Sequence, residues 1–267
     1  SASTQVTVFM LAASHGIERF VGEVMADNAA MIKVFEGVGF AVTRVLSGGE
    51  VEMTFPIAPT ADYASHVEAR DHTAVVASLR PFFEAKSVAV LGASSRRGTI
   101  GGELFRNILE GEFAGAAYPV NRNGEPVAGV RGYSSVADIP DPIDLAVVCL
   151  PAAAVLESVE TVLDAGVRAV CVISAGFAEV GSEGVERQSS LLALVRAHGA
   201  RLLGPNCLGI SSAAVRLNAT FASRAAPAGN IGFSSQSGAL GLELLEATES
   251  RGLGLSAFVS IGNKADV

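Results

Sequence analysis

Residues 88 to 124 read VAVLGASSRRGTIGGELFRNILEGEFAGAAYPVNRNG, and this stretch narrows the choice of fold more than any other in the chain. Ser87 to Leu91 is a short apolar run that ends in a glycine-rich turn, and Ile100 to Leu109 repeats apolar residues at helical spacing. The pattern is strand, loop, helix, strand, which opens a βαβ nucleotide fold. Gly92, Gly98, Gly101 and Gly102 permit close backbone approach to a ligand. The helix starting near Thr99 aims unpaired N–H groups and the positive end of its dipole at the loop. Arg96 and Arg97 add two cations there in a chain of net charge −8, so electrostatics and backbone favour the same guest, a phosphate. The bland alternative is a tight turn carrying two solvated arginines.

What the loop lacks narrows the phosphate compound. It is not G-x-G-x-x-G, and the second strand, Ala116 to Val120, ends at Asn121 where a dinucleotide fold offers Asp or Glu to the ribose hydroxyls, so NAD is disfavoured. Nor is there G-x-x-x-x-G-K-[ST], which excludes a Walker-type triphosphate site. A nucleotide thiol ester carrier remains. SVAVLGAS, YPVNRNG, DLAVVCLPA, VISAGFAE, RLLGPNCLG and GFSSQSGAL follow one another along the chain. In that order they resemble the NDP-forming acyl-CoA synthetases, relatives of the succinyl-CoA synthetase α subunit. The resemblance implies CoA or acetyl-CoA as the ligand, with ATP or ADP acting only through a domain this chain lacks.

The 267 residues are 49% hydrophobic and 17% charged, enough for more than one buried core. No apolar run approaches the roughly 20 residues needed to cross a bilayer, and no signal peptide is recognisable, so no membrane partner and a cytoplasmic location are expected. The acidic balance argues against nucleic acid, whose binding needs a basic surface. Cys149, Cys171 and Cys207 stand in apolar settings without C-x-x-C spacing, which suits reduced, buried thiols and implies neither zinc nor a disulfide. No metal site is expected: His66 and His72 stand six apart beside a linker and share no helix face.

Taken in order, Ser1 to Met10 carries no assignable role, and His15-Gly16 reads as a helix stop. Ile17 to Met25 alternates as a strand, Asn28 caps a helix over Ala29 to Gly37, and Phe40 to Val45 and Val51 to Ile57 are strands separated by a Ser47-Gly48-Gly49 turn. This β-α-β-β run, GIERFVGEVMADNAAMIKVFEGVGF at its centre, resembles the second half of GCN5-related N-acetyltransferases (GNAT), in which the residue at Asn28 contacts acetyl-CoA. It departs from that family in two places. The pyrophosphate loop that should precede Leu11 is missing, and Phe35 stands where the family commonly has a tyrosine acting as general acid. Pro56 to Arg70 is polar and proline-bearing, the best domain boundary.

From Asp144 the alternation resumes: DLAVVCL, a helix from Ala152 to Ala165, Ala169 to Ser174, a helix from Val185 to Ala197 that stops at His198-Gly199, and Arg201 to Leu203. Continuous apolar strands separated by helices mean a parallel sheet covered on both faces, with its ligand at the carboxyl ends of the strands. Those ends carry Gly92, Ser94, Ser95, Arg96, Arg97, Gly98, Ile100 and Gly101; Pro119 and Asn121; Leu150 and Pro151; Ser174, Ala175 and Gly176; and Asn206 and Cys207. The resemblance makes these the CoA-binding residues, the Leu-Pro turn toward the adenine or ribose and the GPNCLG turn nearer the thiol. With no histidine nearby in sequence, Cys207 is not expected to be a nucleophile, and no catalytic residue is assigned. Finally Ile231 to Ser235, Gly238 to Ser250 and Leu255 to Ile261 read strand, helix, strand, and Ser235, Ser237 and Gly238 repeat the helix-start anion logic. In the synthetase family that turn holds a phosphoryl group.

The fold expected is therefore α/β. A partial GNAT segment occupies 1–57, a linker and helix 58–84, and a Rossmann-like doubly wound CoA-binding domain 85–213. Residues 214–267 start a flavodoxin-like, succinyl-CoA-synthetase-like domain. Three functions compete. The first is the CoA-binding portion of a GNAT-type protein acetyltransferase fused to a synthetase-like region, with a CoA ester and a protein lysine as partners. The second is part of an active ADP-forming acyl-CoA synthetase, an acid–thiol ligase working through a phosphohistidine outside this chain. The third is a structural or oligomerisation module. In either of the first two the parent is an enzyme, oligomerisation is allowed, and these residues alone are expected to be inactive.

Overall fold

The computed structural model describes residues 19–30, 32, 42–56 and 73–267. The readings placed on Ser1 to Met10, His15, Phe35, His66, His72 and most of the Pro56 to Arg70 linker lie outside them, as does the Asn28 helix beyond residue 32. The chain divides into two compact units, Ser1–Ala77 and Ser78–Val267.

In the first unit β1 (Arg19–Met25), β2 (Thr43–Ser47) and β3 (Glu50–Pro56) form an antiparallel sheet in the order β1-β3-β2. Gly48 and Gly49 both have positive φ, +60° and +91°, which is what a two-residue hairpin matching the strand twist requires. That turn sets β2 at Thr43–Ser47, later than the Phe40 to Val45 expected. Val24, Val51 and Met53 alternate onto one face and make a small core with Ile32 and Val42.

The second unit begins inside a helix over residues 73–83 (α1), whose Phe82 is buried against the sheet that follows. That sheet has five parallel strands: β4 (Ser87–Leu91), β5 (Ala116–Val120), β6 (Leu145–Val148), β7 (Ala169–Val172) and β8 (Arg201–Leu203). Their order is β5-β4-β6-β7-β8, with α2 (Ile100–Glu110), α3 (Ala152–Asp164) and α4 (Ser182–Ala197) as crossovers. Apart from Ser87 at the start of β4 and Arg201 at the start of β8 the strands are almost wholly apolar, because both faces are covered. Ala89, Leu91, Ala146 and Val148 pack with α3 and α4, while Val88, Val90, Leu145 and Val147 pack with α1 and α2. The doubly wound parallel sheet read from the sequence is therefore present. Its strand order reverses between β4 and β6, and a crevice opens where the loops after those two strands diverge.

A second sheet contains β9 (Gly209–Ser212), β10 (Leu217–Thr220), β11 (Ala228–Ser235) and β12 (Leu255–Ser260), ordered β10-β9-β12-β11. Only β11 and β12 are parallel, joined by α5 (Gly238–Arg251). Beyond β12 the chain folds back onto the β8 end of the five-stranded sheet. Asn263 N–H donates to the Pro205 carbonyl at 2.9 Å and Ala265 N–H to that of Gly204 at 3.1 Å. Asp266, its side chain 7% exposed, accepts from Arg201 Nε at 2.7 Å, from Leu202 N–H at 3.2 Å and from Arg196 Nη2 at 3.2 Å.

Burial alone would raise the Asp266 pKa, but the Arg201 hydrogen bond and the Leu202 N–H outweigh it and hold the carboxyl below its ordinary value of 3.8. A lowered native value adds stability that is present above the unfolded value and lost as pH falls from there through the native one. Asp266→Asn is expected to cost about 1–3 kcal/mol at neutral pH. Urea unfolding should show the variant losing less stability than the parent between about pH 6 and about pH 3. Equal losses would remove Asp266 from the acid response.

Candidate functional site

The carboxyl ends of the parallel strands line three adjoining chambers of one groove. The middle chamber, about 570 Å³, is walled by Gly92, Ser94, Arg96, Gly98 to Gly101, Cys149 to Pro151 and Ile173 to Ala175. At the β5 side a chamber of about 330 Å³ shares Gly92 and Leu150 with it and adds Asn121, Arg122, Ser134, Ser135, Ala154, Ser158 and Thr161. At the other side a chamber of about 450 Å³ shares Ile100, Ile173, Ser174 and Ala175, and adds Asn206, Cys207, Phe221 and the start of α5. Each is within the size range of small-molecule sites, and the three run across the switch point where an open α/β sheet places its ligand.

Most residues expected at the site meet here: Gly92, Ser94, Arg96, Gly98, Ile100, Gly101, Asn121, Leu150, Pro151, Ser174, Ala175, Asn206, Cys207 and Gly238. Others line none of the three chambers. Ser95 offers its carbonyl to Arg106 Nη2 at 2.5 Å. Pro119 is buried inside β5, where its carbonyl accepts from Tyr133 N–H at 3.0 Å. Gly176 is tied by its N–H to Glu179 Oε1 and by its carbonyl to Arg187 Nη1.

The two loop arginines part company. Arg97 Nη1 lies 3.2 Å from Glu103, whose carboxyl is held below the usual range first by the Gly98 N–H and then by Arg106 and Arg97 themselves. Arg96 is exposed, lines the middle chamber and pairs with no carboxylate among the described residues. Thr99 makes no side-chain cap to α2, its hydroxyl donating instead to the Arg96 carbonyl at 2.9 Å, so the first N–H groups of that helix stay open toward the groove.

The glycines act differently from the expectation of ligand approach alone. A Cβ on Gly101 would sit 2.3 Å from the Gly92 carbonyl oxygen, and one on Gly92, at φ +84°, 2.4 Å from that of Cys149. These two let the helix start pack on the strand-end turns. Of the four glycines in this loop, only Gly98, at φ +76°, faces open space.

Asn121 uses both ends of its side chain on its own turn, Oδ1 accepting from Glu125 N–H at 2.9 Å and Nδ2 donating to the Glu125 carbonyl at 2.8 Å. The cation on that side is Arg122, which the sequence reading missed. It also missed Ala154, Ser158 and Thr161, although their spacing of four and three residues puts one small and two hydroxyl-bearing side chains on one face of α3.

At α5, the Ser235 hydroxyl accepts from Ser237 N–H at 3.1 Å and lies 3.2 Å from the Ser237 carbonyl. The Ser237 hydroxyl accepts from Leu240 N–H at 3.2 Å, as an N-cap does, which leaves its own proton to give. Cys207 Sγ donates to the Val172 carbonyl at 3.3 Å and lies 3.8 Å from Cys171 Sγ. Burial pushes the Cys149 thiol up, and hydrogen bonding to Cys207 together with burial does the same for Cys171. His198 Nδ1 is 2.9 Å from the Leu194 carbonyl at the end of α4.

With this geometry in place, residues 86–213 match the family model described as a CoA binding domain, and residues 228–267 match the succinyl-CoA ligase like flavodoxin domain. Residues 86–213 and 228–267 are thus similar to the CoA-binding and flavodoxin-like regions of the α part of NDP-forming acyl-CoA synthetases. Among curated relatives, the α subunit of ADP-forming acetate–CoA ligase I from Pyrococcus furiosus is 42% identical over 195 residues, 71% of this chain and 42% of that protein. A trans-feruloyl-CoA synthase from an unknown prokaryotic organism is 41% identical over 192 residues, 70% of this chain and 27% of that protein. Among solved structures, the dinucleotide-forming acetyl-coenzyme A synthetase 1 of Candidatus Korarchaeum cryptofilum, in complex with phosphate and ADP, is 40% identical. Its TM-score is 0.68, covering 71% of this chain and 40% of that one. The chain thus spans well under half the length of these relatives.

Proposed function

We propose that this chain is the CoA-binding part of an ADP-forming acyl-CoA synthetase, with CoA lying along the three-chamber groove. The observation that carries this is the meeting of the open α2 start, an Arg96 with no carboxylate partner among the described residues and a crevice at the β4/β6 switch point. Arg96 and the first N–H groups of α2 would hold the pyrophosphate, and Arg122 with Ser158 and Thr161 the nucleoside end. Ser174 and the Asn206-Cys207 turn would lie beside the pantetheine end. Bound there, CoA supplies the thiol that accepts the acyl group. The chain's own residues orient that thiol toward the α5 start, where Ser237 has a proton to offer a phosphoryl or carboxylate oxygen. ATP or ADP would act through another part of the enzyme.

The relatives support this synthetase reading over the fused acetyltransferase ranked first from the sequence, and they give the GNAT reading of residues 1–57 no support. By their names the relatives cited above differ in the acid, acetate for one and a trans-feruloyl group for another.

Arg96→Ala is expected to weaken CoA binding about tenfold at low salt, and less as salt rises, because a charge-assisted contact to phosphate is lost. Arg97→Ala, which removes an exposed pair with Glu103, should change affinity less than about twofold. Calorimetric titration of both variants checks this, and equal effects would move the phosphate site off Arg96.

A further inference from the structure

The chamber at the α5 side differs in chemistry from the other two. Arg96 and Arg122 line those, whereas among the described residues no side chain that carries charge lines this one. Ile173, Leu208, Phe221 and Leu242 form its walls, and Ile100, the first residue of α2, stands 50% exposed at its mouth. An apolar side chain left uncovered at the junction of two chambers is area that a ligand would remove from water. Gly241 helps place the far wall: its missing side chain lets α5 lie against Phe258, where a Cβ would meet the ring at 2.8 Å, and this seats Ala239 and Leu242 on the chamber. Its polar side chains are uncharged: Ser174, Asn206 and Gln236 line it. Leu240 N–H is taken by the Ser237 hydroxyl, which leaves the Gly238 and Ala239 N–H groups as donors at the helix start.

We propose that this chamber holds the acyl group and that the acid is a monocarboxylate with a bulky apolar chain, aromatic or branched, rather than a dicarboxylate. This rests on the CoA reading, which brings the thiol to Ile100 and Ser174 at the chamber's mouth. The two open N–H groups suit the single carboxyl or thioester oxygen of such a group. A second carboxylate carried further in would find no cation, and burying an unpaired charge is strongly disfavoured. The volume, about 450 Å³, leaves an acetyl group mostly without contacts.

The test is calorimetric titration of the 267-residue protein with CoA, acetyl-CoA, benzoyl-CoA and succinyl-CoA. Benzoyl-CoA is expected to bind about tenfold tighter than acetyl-CoA, and succinyl-CoA no tighter than CoA. Leu242→Ser should cut the benzoyl preference to less than about threefold, as buried apolar contact is lost. Ile100→Ser repeats the test at a half-exposed position where folding is not at stake. If CoA binds but the esters do not differ, or succinyl-CoA binds tightest, the acyl-site proposal fails while the CoA reading stands. If no CoA compound binds, both fail.

Discussion

Gly101→Val is expected to lower the stability of the second unit by about 3 kcal/mol, at the upper end of what overpacking a tight site costs. The Cβ would fall 2.3 Å from the Gly92 carbonyl oxygen and 3.2 Å from Ala93 N, backbone atoms with no rotamer to yield. Relief requires α2 to move off the end of β4, and α2 carries Leu104, Phe105 and Ile108, all fully buried in the core shared with α1. In a unit of this size the loss corresponds to a melting temperature lower by roughly 10 °C. Gly98→Ala gives the contrast. Its Cβ meets nothing, so the cost is the strain of a positive φ alone, about 1 kcal/mol. Thermal denaturation of the two variants checks the pair. A Gly101→Val protein melting within about 2 °C of the parent would mean that the helix start is not seated on the turn as described, and the geometry of the open N–H groups would fall with it.

The parallel sheet was legible because strands buried on both faces read as nearly continuous apolar runs, as in DLAVVCL, and turns marked by glycine or proline separate them from helices of helical period. Position at the carboxyl ends then followed from topology, which is why so many expected residues line one groove. Three things escaped. The β9–β10 hairpin is too short for its alternation to register, four residues a strand, and its core role depends on pairing with β12 from far along the chain. The division between Arg96 and Arg97 depends on Glu103, six residues on from Arg97 and one helical turn in, which no loop-level reading weighs. The role of the glycines also needed coordinates: sequence says that backbone approaches closely at Gly92 and Gly101, but not whether the approaching atoms belong to a ligand or to the chain itself.

CoA is expected to bind at least about a hundredfold tighter than NAD, a difference of roughly 2.7 kcal/mol. Both ligands offer a pyrophosphate to Arg96 and the α2 start, so the contrast must arise at the ends. A dinucleotide site of this fold presents a carboxylate to the adenosine ribose hydroxyls from the end of the second strand. Here that strand, β5, is followed by Asn121, whose side chain is spent on Glu125, and among the described residues no acidic one lines the middle or the β5-side chamber. A ribose diol in that place loses water without gaining an acceptor. Arg122 instead puts a cation there, which suits the phosphate that CoA carries on its ribose. At the other end the apolar chamber suits a pantetheine arm and its acyl group better than a charged nicotinamide ring. Calorimetric titration of the 267-residue protein with CoA and with NAD, side by side in one buffer at low salt, tests this most directly. Saturable one-site binding of CoA with weak or undetectable NAD binding is the predicted result, and NAD binding as tightly as CoA would contradict it.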